Sequence, residues 1–322
     1  MRPKISVCIP VYNSAAYLDA CVNSLLNQTL KDIEFIFVND GSTDNSLNIL
    51  REYQAKHQNI KVIDQSNTGL GGARNAAIKQ ASGEYIGFLD ADDFVDPMMY
   101  EKLYTSAKEH NADIAMCNVK LYPKASKTKR VWYKPYKGEI TPEFLNRNTQ
   151  PWNKIVSSRL IKKSKFKFYE QNGDGMFIIL MLKANSIISI DDKLYNYRVG
   201  HNSMSTDYKL SSFIVSYESS LKQKQELNST KYLGVLDEYF NYRIIYSLIQ
   251  LLTIASLEGN KRAYTKYKSF LAEYDVRSNV YVKTILKNEF GSIKTLLMTN
   301  IVARSYLLTR GSVILLRKMG RL

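Results

Sequence analysis

Along the first 115 residues, short apolar runs alternate with stretches in which apolar side chains recur every three or four positions. Runs 5–10, 34–39, 60–64, 85–90 and 113–118 read as strands, and 16–28, 42–57, 73–81 and 97–111 read as helices. Strands that are apolar throughout and separated by helices predict an α/β domain, Rossmann-like, with a mostly parallel sheet covered by helices on both faces. In such a sheet, ligands gather beyond the carboxyl ends of the strands. The polar residues fall there: Pro10, Val11, Tyr12 and Asn13 after the first strand, Asn39 to Ser42 after the second, Asn67 to Arg74 after the third, and Asp90, Asp92 and Asp93 after the fourth. Four separate segments are expected at one rim.

Beyond residue 118 the rhythm breaks. Residues 120–137 are basic and tyrosine-rich and read as loop or edge strand; helical patterns return at 141–148 and 175–184, with strand-like pieces at 187–190 and 195–198 between polar turns. From about 211 the pattern is helical, with Tyr239, Tyr242, Ile245, Tyr246 and Ile249 forming a core stripe. We expect an α/β domain over 1–210 and a basic, mainly helical region over 211–322. The longest nearly uncharged apolar run, 244–257, is too short to cross a bilayer and reads as a buried helix.

Charge sharpens this division. Residues 1–120 hold 11 Lys and Arg against 15 Asp and Glu, 121–210 hold 17 against 7, and 211–322 hold 17 against 8. The positive charge outside the first third calls for an anionic partner, and the mixture of apolar clusters with Arg304, Arg310, Arg317, Lys318 and Arg321 favours an anionic membrane surface. Solvated helical faces explain the same charge equally well, and a surface for oligomerisation is a further use of the tail. Nucleic acid is disfavoured, because no glycine-aromatic motif or zinc-finger spacing is present. Three cysteines, without metal-ligand spacing, and an N-terminus that runs directly into a strand point to a reducing, cytoplasmic setting.

The carboxylates at 90–93 carry the chemistry. An apolar strand tip gathers three acids within four positions only with compensation, because like charges so close resist joint ionisation. A divalent cation, Mg²⁺ or Mn²⁺, suits Asp90 and Asp92 and would grip nucleotide phosphates. Asp93 and Asp96 read more simply as turn and helix-capping residues.

Four motifs taken together, Ser-Val-Cys-Ile-Pro-Val-Tyr-Asn (6–13), Asn-Asp-Gly-Ser-Thr-Asp (39–44), Asn-Thr-Gly-Leu-Gly-Gly-Ala-Arg-Asn (67–75) and Phe-Leu-Asp-Ala-Asp-Asp (88–93), resemble the family 2 glycosyltransferases in order and spacing. Trp152-Asn153-Lys154 and residues 195–203 resemble their bacterial polysaccharide branch. The resemblance covers roughly 4–205. It implies a GT-A fold, a nucleotide-sugar donor, a divalent metal and inversion at the anomeric carbon.

By the same resemblance, Pro10, Tyr12 and Asn13 belong to the loop that holds the base, and Asp40 accepts a hydrogen bond from a uracil ring N–H, which implies a UDP-sugar. Asp40 could instead cap the following helix, but Ser42 and Asp44 supply that cap equally well. Asn67, Gly69 and Arg74 are implied as donor contacts, with Arg74 pairing with either a phosphate or an aspartate of the cluster. In the Asp90-Ala91-Asp92 triplet, Asp90 faces ribose or base and Asp92 takes the metal. The general base implied is Asp174, with Glu170 in reserve; Gly173 stands where the family usually has an acid, which leaves a silent nucleotide-sugar binder as the alternative. Arg198, His201 and Ser203 lie in a segment resembling the one that closes over the diphosphate, and His201 could complete the metal shell. Trp152, Lys154 and Asp93 are candidates for lining the donor sugar or the acceptor, a glycan or lipid-linked molecule. Trp152 also reads well as core.

Overall fold

The computed structural model describes residues 2–123, 136–169, 174–200 and 209–282, with 284, 306, 309–311, 313 and 314; at 174 only the backbone is described. The chain divides into two compact units, Met1–His201 and Asn202–Leu322.

The first unit is built on one sheet. Its early elements are β1 (Ile5–Val11), α1 (Ala15–Leu26), β2 (Ile33–Asp40), α2 (Ser46–Lys56), β3 (Ile60–Gln65), α3 (Leu70–Gln80), β4 (Tyr85–Phe88), β5 (Phe94–Val95), α4 (Met99–Glu109) and β6 (Ile114–Tyr122). After them come α5 (Pro142–Arg147), β7 (Lys154–Ser157), α6 (Ser158–Lys163), a 3-10 turn at Asp174–Met176, α7 (Phe177–Lys183) and β8 (Ile187–Arg198). The strand order is β3-β2-β1-β4-β7-β6-β8-β5. β1 to β4 are parallel, with Val7 beside Phe35 on one side and Gly87 on the other. Every residue of β1 and β2 is buried, so both faces of the sheet centre are covered, as continuous apolar strands require. α1 buries Leu18, Cys21, Val22 and Leu25, the three- and four-residue stripe that made it legible as a helix.

The structure departs from the sequence expectation in several places. α2 starts at Ser46 rather than 42, because the Asp44 carboxylate takes the Ser46 N–H at 3.0 Å and residues 42–45 form a loop ahead of it. β7 was not foreseen; it enters antiparallel between β4 and β6 and buries all four of its residues, Lys154 included. The two strand-like pieces at 187–190 and 195–198 are one strand, β8, whose exposed Asp191, Asp192 and Lys193 mimic a turn while the backbone stays paired through a register shift. β5 pairs antiparallel with the far end of β8, so the segment 89–93 bridges from β4 to β5.

In the second unit, α8 (Leu210–Leu227), α9 (Asp237–Leu257) and α10 (Lys261–Leu271) follow one another. The apolar run at 244–257 is almost wholly buried within α9. Among the described residues no helix is long and apolar enough to cross a membrane. The outer face of α10 carries exposed Lys261, Arg262 and Lys266 and the helix has no acidic residue. Tyr264 on its inner side bonds Thr309 at 2.8 Å. Of the basic tail, Arg304, Arg317, Lys318 and Arg321 lie outside the described residues.

Candidate active site

Because β1, β2, β3 and β4 are parallel neighbours, the loops that leave their carboxyl ends share one rim. After β1, Pro10 is buried in the strand, while the Tyr12 side chain is 49% exposed and open to a stacking partner. Asn13, at φ 47°, turns its Oδ1 to accept from the Thr43 N–H at 2.7 Å, and its own N–H donates to Ser42 Oγ at 3.0 Å. The Ala15 N–H donates to Asp44 at 2.9 Å. The first and second loops are thereby stitched together.

Asp40 does not cap α2. It is buried, and Oδ1 accepts from Gln65 Nε2 at 2.8 Å and the Thr68 N–H at 2.9 Å, while Oδ2 accepts from the Gly69 N–H at 2.9 Å. One carboxylate therefore organises the whole turn after β3. Gly69 supplies φ 83° there, and Gly41, at φ 72°, lets the two loops touch: a Cβ on it would meet the Asn67 main-chain nitrogen at 2.9 Å. Asn67 itself is exposed.

Arg74 lies in the second turn of α3 and is fully buried. Its Nη2 donates to Asp90 Oδ1 at 2.7 Å and its guanidinium lies 5.4 Å from the Phe168 ring. Asp90 is thus the aspartate of the cluster that Arg74 meets. Losing either member of such a pair leaves a buried or half-buried charge uncompensated, which costs about 3–5 kcal/mol.

The three carboxylates have separated roles. Asp90 and Asp92 are partly exposed on the rim, with Ala91 buried between them. Asp93 turns inward: Oδ2 accepts from the Tyr195 hydroxyl and Oδ1 from the Arg198 N–H, each at 2.6 Å. Burial, then the adjacent charges of Asp92 and Asp90, push the Asp93 carboxyl well above the ordinary range. Asp93 thus secures β8 and caps no helix; Asp96 takes the turn role, accepting from the Met98 N–H at 3.1 Å.

The segment bearing Asp174 is anchored on both sides to the tip of β4. Phe168 and Phe177 each meet Phe88 edge-on, at 5.3 and 6.3 Å, and Phe168 exchanges two hydrogen bonds with the Asn75 side chain at 2.8 and 2.9 Å. Asn75 closes the third motif, yet an amide after an arginine gave no hint that it would clasp a segment 93 positions away. Trp152 is buried and stacks on Tyr195 at 4.3 Å and Tyr197 at 5.5 Å. Lys154 is fully buried, donating to Gln150 O and Asn153 Oδ1 beneath the Phe177 ring. His201, Ser203 and Glu170, and the side chain of Asp174, lie outside the described residues. Among the described residues no three His, Cys, Asp or Glu side chains group to hold a metal.

Residues 6–169, about half of the chain and spanning all four loops, match the sequence model of Glycosyl transferase family 2. The chain belongs to this family. Glycosyltransferase EpsH of Bacillus subtilis is 30% identical over 285 residues, which cover 83% of this chain and 82% of EpsH. Glycosyltransferase EpsJ of the same organism is 34% identical over 221 residues; this match spans 63% of the present chain and 63% of the length of EpsJ. Among solved structures, residues 1–349 of TarS from S. aureus, crystallised with UDP-GlcNAc, superpose with a TM-score of 0.72 at 24% identity, covering 98% of this chain and 92% of that one. The family 2 member described here thus has a GT-A fold followed by a helical region.

Proposed function

We propose that the chain transfers a sugar from a UDP-linked donor to a hydroxyl of a surface-glycan or lipid-linked acceptor, with inversion. The observation that carries this reading is the convergence of four stitched loops at one rim on which Asp90 and Asp92 stand. TarS, with UDP-GlcNAc bound on the same fold, supports the choice of nucleotide. In this reading the Tyr12 ring stacks on the base, and Asp40 shapes the pocket through the turn at 67–69 as well as facing the uracil.

The donor set fits a hard divalent cation. Two carboxylates at the rim supply oxygen ligands, Asp93 is withdrawn from it, and the remaining positions would fall to diphosphate and water. Such an ion, Mn²⁺ or Mg²⁺, neutralises charge on the departing diphosphate when bound. Asp92 would hold it, with Asp90 shared between it and Arg74, and His201 is a candidate further ligand. Asp174, in the 3-10 turn ahead of α7, takes the proton from the acceptor hydroxyl. The cationic face of α10 favours a peripheral position on an anionic membrane, on its cytoplasmic side.

The test is UDP release from UDP-sugars by the full chain, with Mn²⁺ and with a chelator. Turnover should require the ion, and Asp174→Asn should lower it about 10²–10⁴-fold while UDP still binds. Undiminished turnover in Asp174→Asn removes that residue from its role, and UDP binding without any turnover favours a silent binder.

A further inference from the structure

Arg198 ends β8 and reaches back to the carboxylate loop. Its main-chain N–H donates to Asp93 Oδ1 at 2.6 Å, and its Nε–H donates to the main-chain carbonyl of Asp92 at 2.8 Å. The guanidinium is enclosed by rings from three elements: Tyr17 of α1 at 5.2 Å, Phe94 of β5 at 5.7 Å and Tyr122 at the end of β6 at 5.4 Å. Phe94 and Tyr122 also meet each other edge-on at 5.0 Å, so the walls brace one another. Rings this close attract the cation and deny it other rotamers. An arginine so confined is not a solvated surface charge: its plane is fixed, and the group it is fixed upon is the peptide carbonyl of Asp92, within the carboxylate loop.

We propose that Arg198 is a positioning residue for Asp92, acting through the peptide and not through contact with the donor. Holding the Asp92 carbonyl sets the torsion of that residue, and hence the direction in which its carboxylate leaves the backbone. The aromatic box is part of the device, because it holds the guanidinium that holds the carbonyl. This rests on the reading of Asp92 as the metal-binding residue. Lysine cannot replace Arg198 here, since an ammonium on a flexible stem keeps the charge but lacks both the planar Nε–H and the stacking surface.

Isothermal titration of the full chain tests this without requiring turnover. Mn²⁺ is titrated in saturating UDP, and UDP is titrated with and without Mn²⁺, for the parent chain, Arg198→Lys, Tyr122→Leu and the double variant. Tyr122 is 47% exposed, so truncating it spares the core, and it carries the test should Arg198→Lys not fold. Each single variant should weaken Mn²⁺ binding about tenfold or more, as loss of an outer partner of a metal ligand does. Metal-free UDP affinity should not change, and the double variant should be no weaker than Arg198→Lys, because Tyr122 acts through the guanidinium. Unchanged Mn²⁺ affinity in both variants, additive losses, or an equal loss of UDP affinity with and without metal, the signature of direct phosphate contact, overturns the proposal. A parent chain that binds UDP but no Mn²⁺ overturns it through the metal assignment alone; one that binds neither overturns the functional reading as well.

Discussion

Glu34 lies at the opposite end of the sheet from the candidate active site, and it offers a test of how this sheet is held. Its carboxylate is buried and accepts from Ser6 Oγ at 2.5 Å, the Ser82 N–H at 2.9 Å, Ser82 Oγ at 2.7 Å and Lys61 Nζ at 2.6 Å. It thereby links β1, β2, β3 and the turn before β4. Burial by itself raises the carboxyl pKa, but the bonds from Lys61, Ser6 and Ser82 outweigh it and hold the group at about 2 against an ordinary 4.5. A folded-state value below the unfolded one means stability that is fully present above 4.5 and lost as pH falls through 2. The linkage amounts to about 3 kcal/mol at pH 7, falling to about 1.4 at pH 3 and to a few tenths at pH 2. Gln at this position cannot ionise, and its amide would turn a donor toward Lys61. Urea unfolding of the parent chain and of Glu34→Gln should therefore diverge by about 3 kcal/mol at neutral pH, and by roughly half of that at pH 3. Trp152 is buried in the first unit, so its fluorescence reports the relevant transition. A stability difference that stays constant from pH 7 to pH 3 would refute the argument.

Two further outcomes follow from particular groups. Among the described residues the fully buried Tyr100 hydroxyl has no hydrogen-bond partner, so Tyr100→Phe should leave stability to thermal unfolding unchanged or raise it by about 1 kcal/mol at most, and a clear loss would reveal a partner. Neutralising Lys261, Arg262 and Lys266 to Gln should cost about 3 kcal/mol of binding to anionic vesicles, about 1 per residue, and nothing on zwitterionic ones; unaltered co-sedimentation with anionic vesicles would exclude α10 as the contacting face.

What the sequence disclosed and what it concealed follow one physical division. The parallel half was legible because β1 and β2 are buried on both faces and therefore apolar throughout, with amphipathic helices between them. Their loops were legible because special backbone angles and charge leave compositional marks, such as Gly41, Gly69 and the aspartates. β7 was hidden because Lys154 sits inside it; the backbone oxygen of Gln150, the Asn153 side chain and the Phe177 ring make that burial tolerable, and none of this can be seen from a lysine in a row of letters. β8 was hidden for the converse reason, an exposed acidic stretch in mid-strand. Roles fixed by partners far along the chain were equally opaque: the inward turn of Asp93 depends on Tyr195 and Arg198, over 100 positions away, and Asp40 accepts from Gln65, Thr68 and Gly69 of the segment that ends and follows β3.

The bridge made by residues 89–93 fixes a length as well as a chemistry. It is tied to β4 at Phe88 and, through the pairing of Phe94 with Asn196 and of Val95 with Tyr195, to the end of β8. A tether between two fixed posts tolerates exchange of its side chains but neither deletion nor insertion: one residue fewer would peel Phe94 from its neighbour, and one more would leave the acids on slack chain. The spacing of the aspartates is therefore frozen by the two strands that the bridge joins.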